Sequence, residues 1–149
     1  MAAHSYSNNS GLKILFAGTT WPLETFIFRL IKGLAQSGHF ITLAGPVHPK
    51  RDPWDEINFK FIKSAGWHGS YLFRCLRILT SLITGYFFSR DRLKIILNQL
   101  KPISSIPEKL KFLNKMLPYM NGDWDLIYFP WNSAAIELYP LASFNIPFA

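Results

Sequence analysis

Apolar residues in this chain follow two periods. Four short runs are too brief for helices and are bounded by turn residues, which predicts buried strands: Lys13 to Ala17, Phe40 to Ala44, Phe59 to Ile62, and Asp125 to Phe129. Between them, apolar residues recur at spacings of three and four, the period of a helix. A first helix is predicted from about Leu23 to Ser37, with Phe26, Ile27, Leu30, Ile31, Leu34 and Ala35 on one face and Gly38 as its left-handed stop. From Ser70 to about Met120 the pattern is helical throughout. Leu72, Leu76, Leu79, Ile83 and Tyr86 form one stripe, Leu93, Ile96, Leu97 and Leu100 a second, and Pro107 opens a third through Leu110, Leu113 and Leu117. Asn121-Gly122 breaks that run, and Asn132 or Ser133 is placed to cap a last helix reaching about Ser143.

Strands alternating with helices, with strands that are apolar almost end to end, predict a parallel sheet covered on both faces. The expected fold class is α/β: a Rossmann-like, doubly wound parallel sheet with a helical excursion before the fourth strand. A right-handed crossover follows for the first strand-helix-strand unit. Residues 1–11 are polar and read as a disordered tail, and residues 12–149 as one domain.

Length and charge narrow the picture. At 149 residues the chain suits one domain able to bury its own core. The longest stretch without a charge, Ile78 to Phe88, is roughly half of the about 20 apolar residues a spanning helix requires, so no bilayer crossing is expected. The one cysteine, Cys75, lies in an apolar helical stretch, which excludes a disulfide framework and suits a cytoplasmic location, with Cys75 read as a small buried hydrophobe. Residues 1–11 lack the charge and the apolar core of a signal peptide.

Candidate chemistry concentrates where strands end. Gly18-Thr19-Thr20 follows the first strand, the place where a doubly wound sheet holds its ligand crevice. It lacks the three spaced glycines of a dinucleotide fingerprint, and no cofactor is expected. The competing structural reading has Gly18 making the turn and a threonine capping the helix. Glu24 and Thr25 fall in the first turn of that helix, where a carboxylate either complements the helix dipole or faces the crevice and hydrogen-bonds sugar hydroxyls. Trp131-Asn132-Ser133 follows the fourth strand and should share the same edge. An exposed indole beside amide and hydroxyl groups makes a carbohydrate platform; the alternative packs Trp131 under the helix and uses Asn132 as its cap. His4, His39, His48 and His68 have no metal-ligand spacing, so no metal site is expected. No Ser-His-Asp or paired-carboxylate arrangement is present to mark catalytic residues.

Two blocks carry a family resemblance. Trp21-Pro22, then Glu24-Thr25-Phe26-Ile27, then a helix ending Gly33-Leu34-Ala35-Gln36-Ser37-Gly38-His39, resembles the opening of family-four glycosyltransferases of the GT-B fold. The stretch from Asp123 through Trp131-Asn132-Ser133 to Ile136 is similar to the strand-turn-helix that closes the same N-terminal domain, so the blocks bracket nearly the whole chain. The resemblance implies half of a GT-B architecture, an N-terminal acceptor-side domain over residues 12–149, truncated at its C-terminus. A complete enzyme of this kind moves a sugar from a nucleotide-sugar donor to a glycan or lipid-linked acceptor. It implies substrate contacts at Gly18, Thr19, Thr20, Glu24, Thr25, Trp131, Asn132 and Ser133, and a catalytic glutamate motif beyond Ala149, so the chain alone is expected to be inactive. Two other readings stay open: a non-catalytic nucleotide- or sugar-binding Rossmann-like module, and a peripheral membrane interaction domain.

The last bears on charge. The net +7 is concentrated in residues 63–115, which hold ten Lys and Arg against Asp91 and Glu108. No nucleic-acid motif accompanies them, and nucleic acid is not an expected partner. Basic residues interleaved with Phe73, Leu76, Ile83, Phe87 and Phe88 fit an anionic membrane surface at the inner face of the membrane, with Arg74, Arg77, Arg90 and Arg92 as contacts. In the competing reading these helices bury their apolar residues on the sheet and keep the charges solvated.

Overall fold

Each of the four apolar runs is a strand, and all run the same way. The computed structural model describes residues 11–19, 22–46, 59–63 and 71–149. In chain order the elements are β1 (Lys13–Phe16), α1 (Thr25–Gln36), β2 (Phe40–Gly45), β3 (Phe59–Lys63), α2 (Tyr71–Phe88), α3 (Arg90–Gln99), α4 (Ile106–Met116), β4 (Leu126–Tyr128) and α5 (Asn132–Glu137). Short 3-10 segments at Leu117–Tyr119 and Tyr139–Phe144 follow α4 and α5. The sheet is parallel throughout, in the order β3-β2-β1-β4. Ile14 is flanked by Ile41 of β2 on one side and Leu126 of β4 on the other. Beyond β4 the Ile127 amide donates to the Pro147 carbonyl at 2.9 Å and the Ala149 amide to the Ile127 carbonyl at 3.0 Å, continuing the parallel pairing.

Strand alternation divides the interior into two cores. Ile14 and Phe16 of β1, with Ile41 and Leu43 of β2, point toward α1 and meet Ile27 and Ile31. Leu15, Ala17, Ala44 and Ile127 point the other way, toward α2, α3, α4 and the two 3-10 turns. Both faces of the sheet are therefore covered, as near-continuous apolar strands require. Each fully buried Leu, Ile or Phe here stabilises the fold by about 1.5–3 kcal/mol relative to exposure. This is an α/β domain compatible with a Rossmann-like fold, with α2, α3 and α4 inserted between β3 and β4.

Helix ends follow local chemistry. Gly38, at φ 88°, closes α1 in the left-handed conformation, with its amide donating to the Ala35 carbonyl and the His39 amide reaching back to Leu34 at 3.1 Å. The last helix departs from expectation. It spans only Asn132–Glu137, because Pro140 lacks an amide and disfavours helical backbone at Tyr139; the chain tightens into a 3-10 turn instead of continuing to Ser143. Asn132 and Ser133 do not cap it: Trp131 occupies that position, and its side chain makes no capping hydrogen bond.

The stripes need correction as well. In α1, Ile27 and Ile31 are buried as expected, but Phe26 and Leu30 face solvent. In α2 the expected stripe is turned outward entirely: Leu72, Leu76, Leu79, Ile83 and Tyr86 are all exposed. The inward face uses Ile78, Leu82 and Gly85. Gly85 explains the choice, since a Cβ there would overlap the thioether of buried Met120, so the glycine allows α2 to approach the turn after α4. Cys75 is half-buried and free rather than fully buried. Apart from Gly11, the expected N-terminal tail lies outside the described residues, as do His4, His48 and His68.

Candidate functional site

Because β1 and β4 are adjacent and parallel, with Phe16 opposite Tyr128, the turns that leave them emerge from the same edge of the sheet. That edge is the carboxyl end, and in the order β3-β2-β1-β4 the connections diverge between these two strands, the location that collects ligands in open α/β sheets. Gly18 leaves β1 at φ 74°, a left-handed backbone that a side chain would strain. A Cβ there would also overlap the Ala134 methyl group in α5. Bare backbone at Gly18 thus seats the β4 turn against the β1 turn.

Aromatic contact closes the same junction. Phe26, at the start of α1, meets Trp131 edge-to-face with ring centroids 5.7 Å apart. Trp131 remains 39% exposed. The indole thus neither packs under α5 nor caps it by its side chain, and Asn132 and Ser133 beside it are exposed at the first turn of α5. Glu24 is the N-cap residue of α1, one position before the helix rather than within its first turn, and its carbonyl accepts from the Phe28 amide at 2.9 Å. Its carboxylate makes no capping hydrogen bond and is exposed, as is Thr25.

Thr19 has a different role from either reading. It is 4% exposed, and its hydroxyl donates to the Ala44 carbonyl at 3.0 Å while its amide donates to the same oxygen at 3.2 Å. It ties the β1 turn to the end of β2 instead of capping α1 or presenting a hydroxyl to the crevice. Gly45 is buried beside it, where a Cβ would crowd the Thr19 carbonyl at 2.6 Å. Thr20 and Trp21 lie outside the described residues. Sequence reasoning missed Phe26 and Ala134, which join the two turns. The signal for Ala134 was the need for a small residue opposite a turn glycine; Phe26 was hidden in an apolar stripe.

No protein-family model, curated protein or solved structure matches the chain.

The basic region is not uniform. Arg77 donates to the Lys63 carbonyl at 2.6 Å, and Arg92 clamps the carbonyls of Met120 and Gly122 while its guanidinium lies 5.5 Å from the Phe144 ring centroid. Both are half-buried and brace the fold, so the expectation that they face a membrane is corrected. Arg74 is half-buried as well and lines a cavity of about 130 Å³ with Cys75, Ile78, Ile106, Leu110 and Asn114. Arg90 alone of the four is exposed, with Nε donating to the Tyr86 carbonyl at 2.9 Å and the guanidinium 4.7 Å from the Tyr86 ring centroid.

At the opposite, amino edge, a cavity of about 650 Å³ is lined by Lys13, Phe40, Phe59, Lys60, Asp123 and Trp124, among others. Lys13 pairs there with Asp123. The hydrogen bond from its ammonium holds the Asp123 carboxyl below the usual carboxylate range and raises Lys13 in turn. Near the candidate site Lys115 on α4 donates to Glu137 on α5 at 2.7 Å, which likewise lowers the Glu137 carboxyl. Among the described residues no cluster of His, Cys, Asp and Glu could hold a metal ion.

Proposed function

We propose that this chain is the acceptor-side domain of a GT-B glycosyltransferase, binding a glycan or lipid-linked acceptor at the carboxyl edge of β1 and β4. The enzyme as a whole would take its sugar from a nucleotide-sugar donor held by a second domain. The observation that carries the reading is the junction of the two turns: Gly18 against Ala134, and Phe26 against a half-exposed Trp131 flanked by Asn132 and Ser133. An indole presents an apolar face on which a sugar ring stacks, and the neighbouring amide, hydroxyl and Glu24 carboxylate supply hydrogen-bond partners for its hydroxyls. The resemblance of the same two blocks to family-four glycosyltransferases supports it. Transfer itself needs donor and acceptor held at reactive distance, and one wall of a cleft does not provide that. A cytoplasmic location belongs to the same reading.

The test is saturation-transfer NMR of the purified chain with a panel of oligosaccharides and nucleotide sugars. Saccharide binding should be seen and should weaken about tenfold in Trp131→Ala and Asn132→Ala through loss of stacking and a hydrogen bond, with little change in thermal midpoint for the exposed Asn132→Ala. Saccharide binding indifferent to both substitutions, binding of nucleotide alone, or sugar transfer by the isolated chain would each overturn the reading.

A further inference from the structure

The outward face of α2 is apolar without a core to serve. Leu72, Leu76, Leu79, Ile83, Tyr86 and Phe87 recur at helical spacing and are each between 52% and 73% exposed. At 3.6 residues per turn they fall within an arc of about 100°, along a helix about 25 Å long. The polar groups on its flank are masked: the Thr80 hydroxyl donates to the Arg77 carbonyl at 3.0 Å and the Thr84 hydroxyl to the Thr80 carbonyl at 2.8 Å. This helix therefore offers two apolar faces, and only one has a place in the fold. Yet it is not long and apolar enough to cross a membrane, and neither is any other helix among the described residues.

The charge of this part of the chain favours one kind of occupant for the stripe. From Tyr71 to Met116 the chain carries nine Lys and Arg against Asp91 and Glu108, and α2 itself has no acid. Asp91 lies 3.8 Å from Lys94, and Arg90 stands exposed at the end of the stripe, stacked on Tyr86. A second copy would bring basic surroundings against basic surroundings. An anionic lipid surface matches both features, because acyl chains accept the apolar arc while phosphate headgroups meet the exposed Arg90 at its end. We infer that α2 lies in the plane of an anionic bilayer, seated by Leu76, Leu79 and Ile83, with Arg90 rather than Arg77 or Arg92 at the headgroups. This inference is independent of the glycosyltransferase reading.

The experiment is vesicle flotation of the full chain with phosphatidylglycerol-phosphatidylcholine mixtures and with phosphatidylcholine alone, beside sedimentation of the lipid-free protein. Flotation should require the anionic lipid, weaken with salt, and drop at least about tenfold in Leu79→Glu/Ile83→Glu, since two apolar contacts are replaced by repelled carboxylates. Circular dichroism should show that variant folded. A second variant, Ile83→Trp, reads the contact directly: its emission should shift to shorter wavelength on adding anionic vesicles. Absence of flotation, flotation unchanged by Leu79→Glu/Ile83→Glu, equal flotation on phosphatidylcholine, no shift at Ile83→Trp, or a dimer that Leu79→Glu/Ile83→Glu dissolves would each overturn the inference.

Discussion

Two helices with similar apolar content are used in opposite ways. In α1 the stripe read from sequence supplies the buried contacts, Ile27 and Ile31, and leaves only Phe26 and Leu30 outside. In α2 the stripe read from sequence is the exposed face, and the buried contacts come from Ile78, Leu82 and Gly85. Periodicity locates an amphipathic helix, because its apolar positions repeat at the helical period. It does not decide which face is inside when both are apolar. Close approach decides that, and close approach follows small residues rather than large ones.

Paired alanine substitutions on the two helices test this contrast directly. Ile31→Ala should destabilise the fold by about 2–5 kcal/mol in urea unfolding, since it removes buried methylenes and leaves a cavity. Ile83→Ala, the same substitution on an exposed position, should stay within about 0.5 kcal/mol. Equal losses would mean that the outward face of α2 is covered within the domain.

A pair of glycines sharpens the point with a smaller difference. Gly33 in α1 has open space where a Cβ would stand, so Gly33→Ala should stabilise by about 0.5–1 kcal/mol through helix propensity. Gly85→Ala gains the same propensity but presses on the buried Met120 thioether, and should be destabilising on balance, leaving the two variants at least about 1 kcal/mol apart. Thermal unfolding of both would show the sign.

The smallest effect separates packing from charge. The pKa of Asp123 is lowered in the folded state, so its pairing with Lys13 contributes stability above the ordinary carboxylate range, lost as pH falls through the lowered value. Lys13 is raised, so its share is present at neutral pH and lost only as pH climbs past the lysine range. The pair is exposed, and its contribution should be small and screened by salt. Asp123→Asn should reduce the acid dependence of the thermal midpoint slightly. The difference between Ile31→Ala and Ile83→Ala should not move with pH.

Much of the architecture was legible. The four apolar runs, the glycine after α1 and the helical insertion before β4 are local signals, and the parallel order follows from their alternation. The convergence of the Gly18 and Trp131 turns on one edge was legible too, because topology alone implies it. What escaped was set by contacts distant in sequence. Thr19 turns inward because the Ala44 carbonyl at the end of β2 accepts its hydroxyl, and Arg92 turns inward because the carbonyls at Met120 and Gly122 lie beside it. Nothing in the neighbourhood of Thr19 or Arg92 along the chain announces those acceptors.

The position of β4 beside β1 has an entropic consequence. Around the joined ends of β1 and β2, the Leu12 amide reaches the His39 ring across 27 residues, whereas the Lys13 amide reaches the Asp125 carboxylate across 112. Closing the longer loop costs about 1 kcal/mol more chain entropy. The β1-α1-β2 unit closes over the shorter loop. The crevice takes one wall from β1 and the other from β4, so the edge where a ligand would bind exists only once the longer loop is closed.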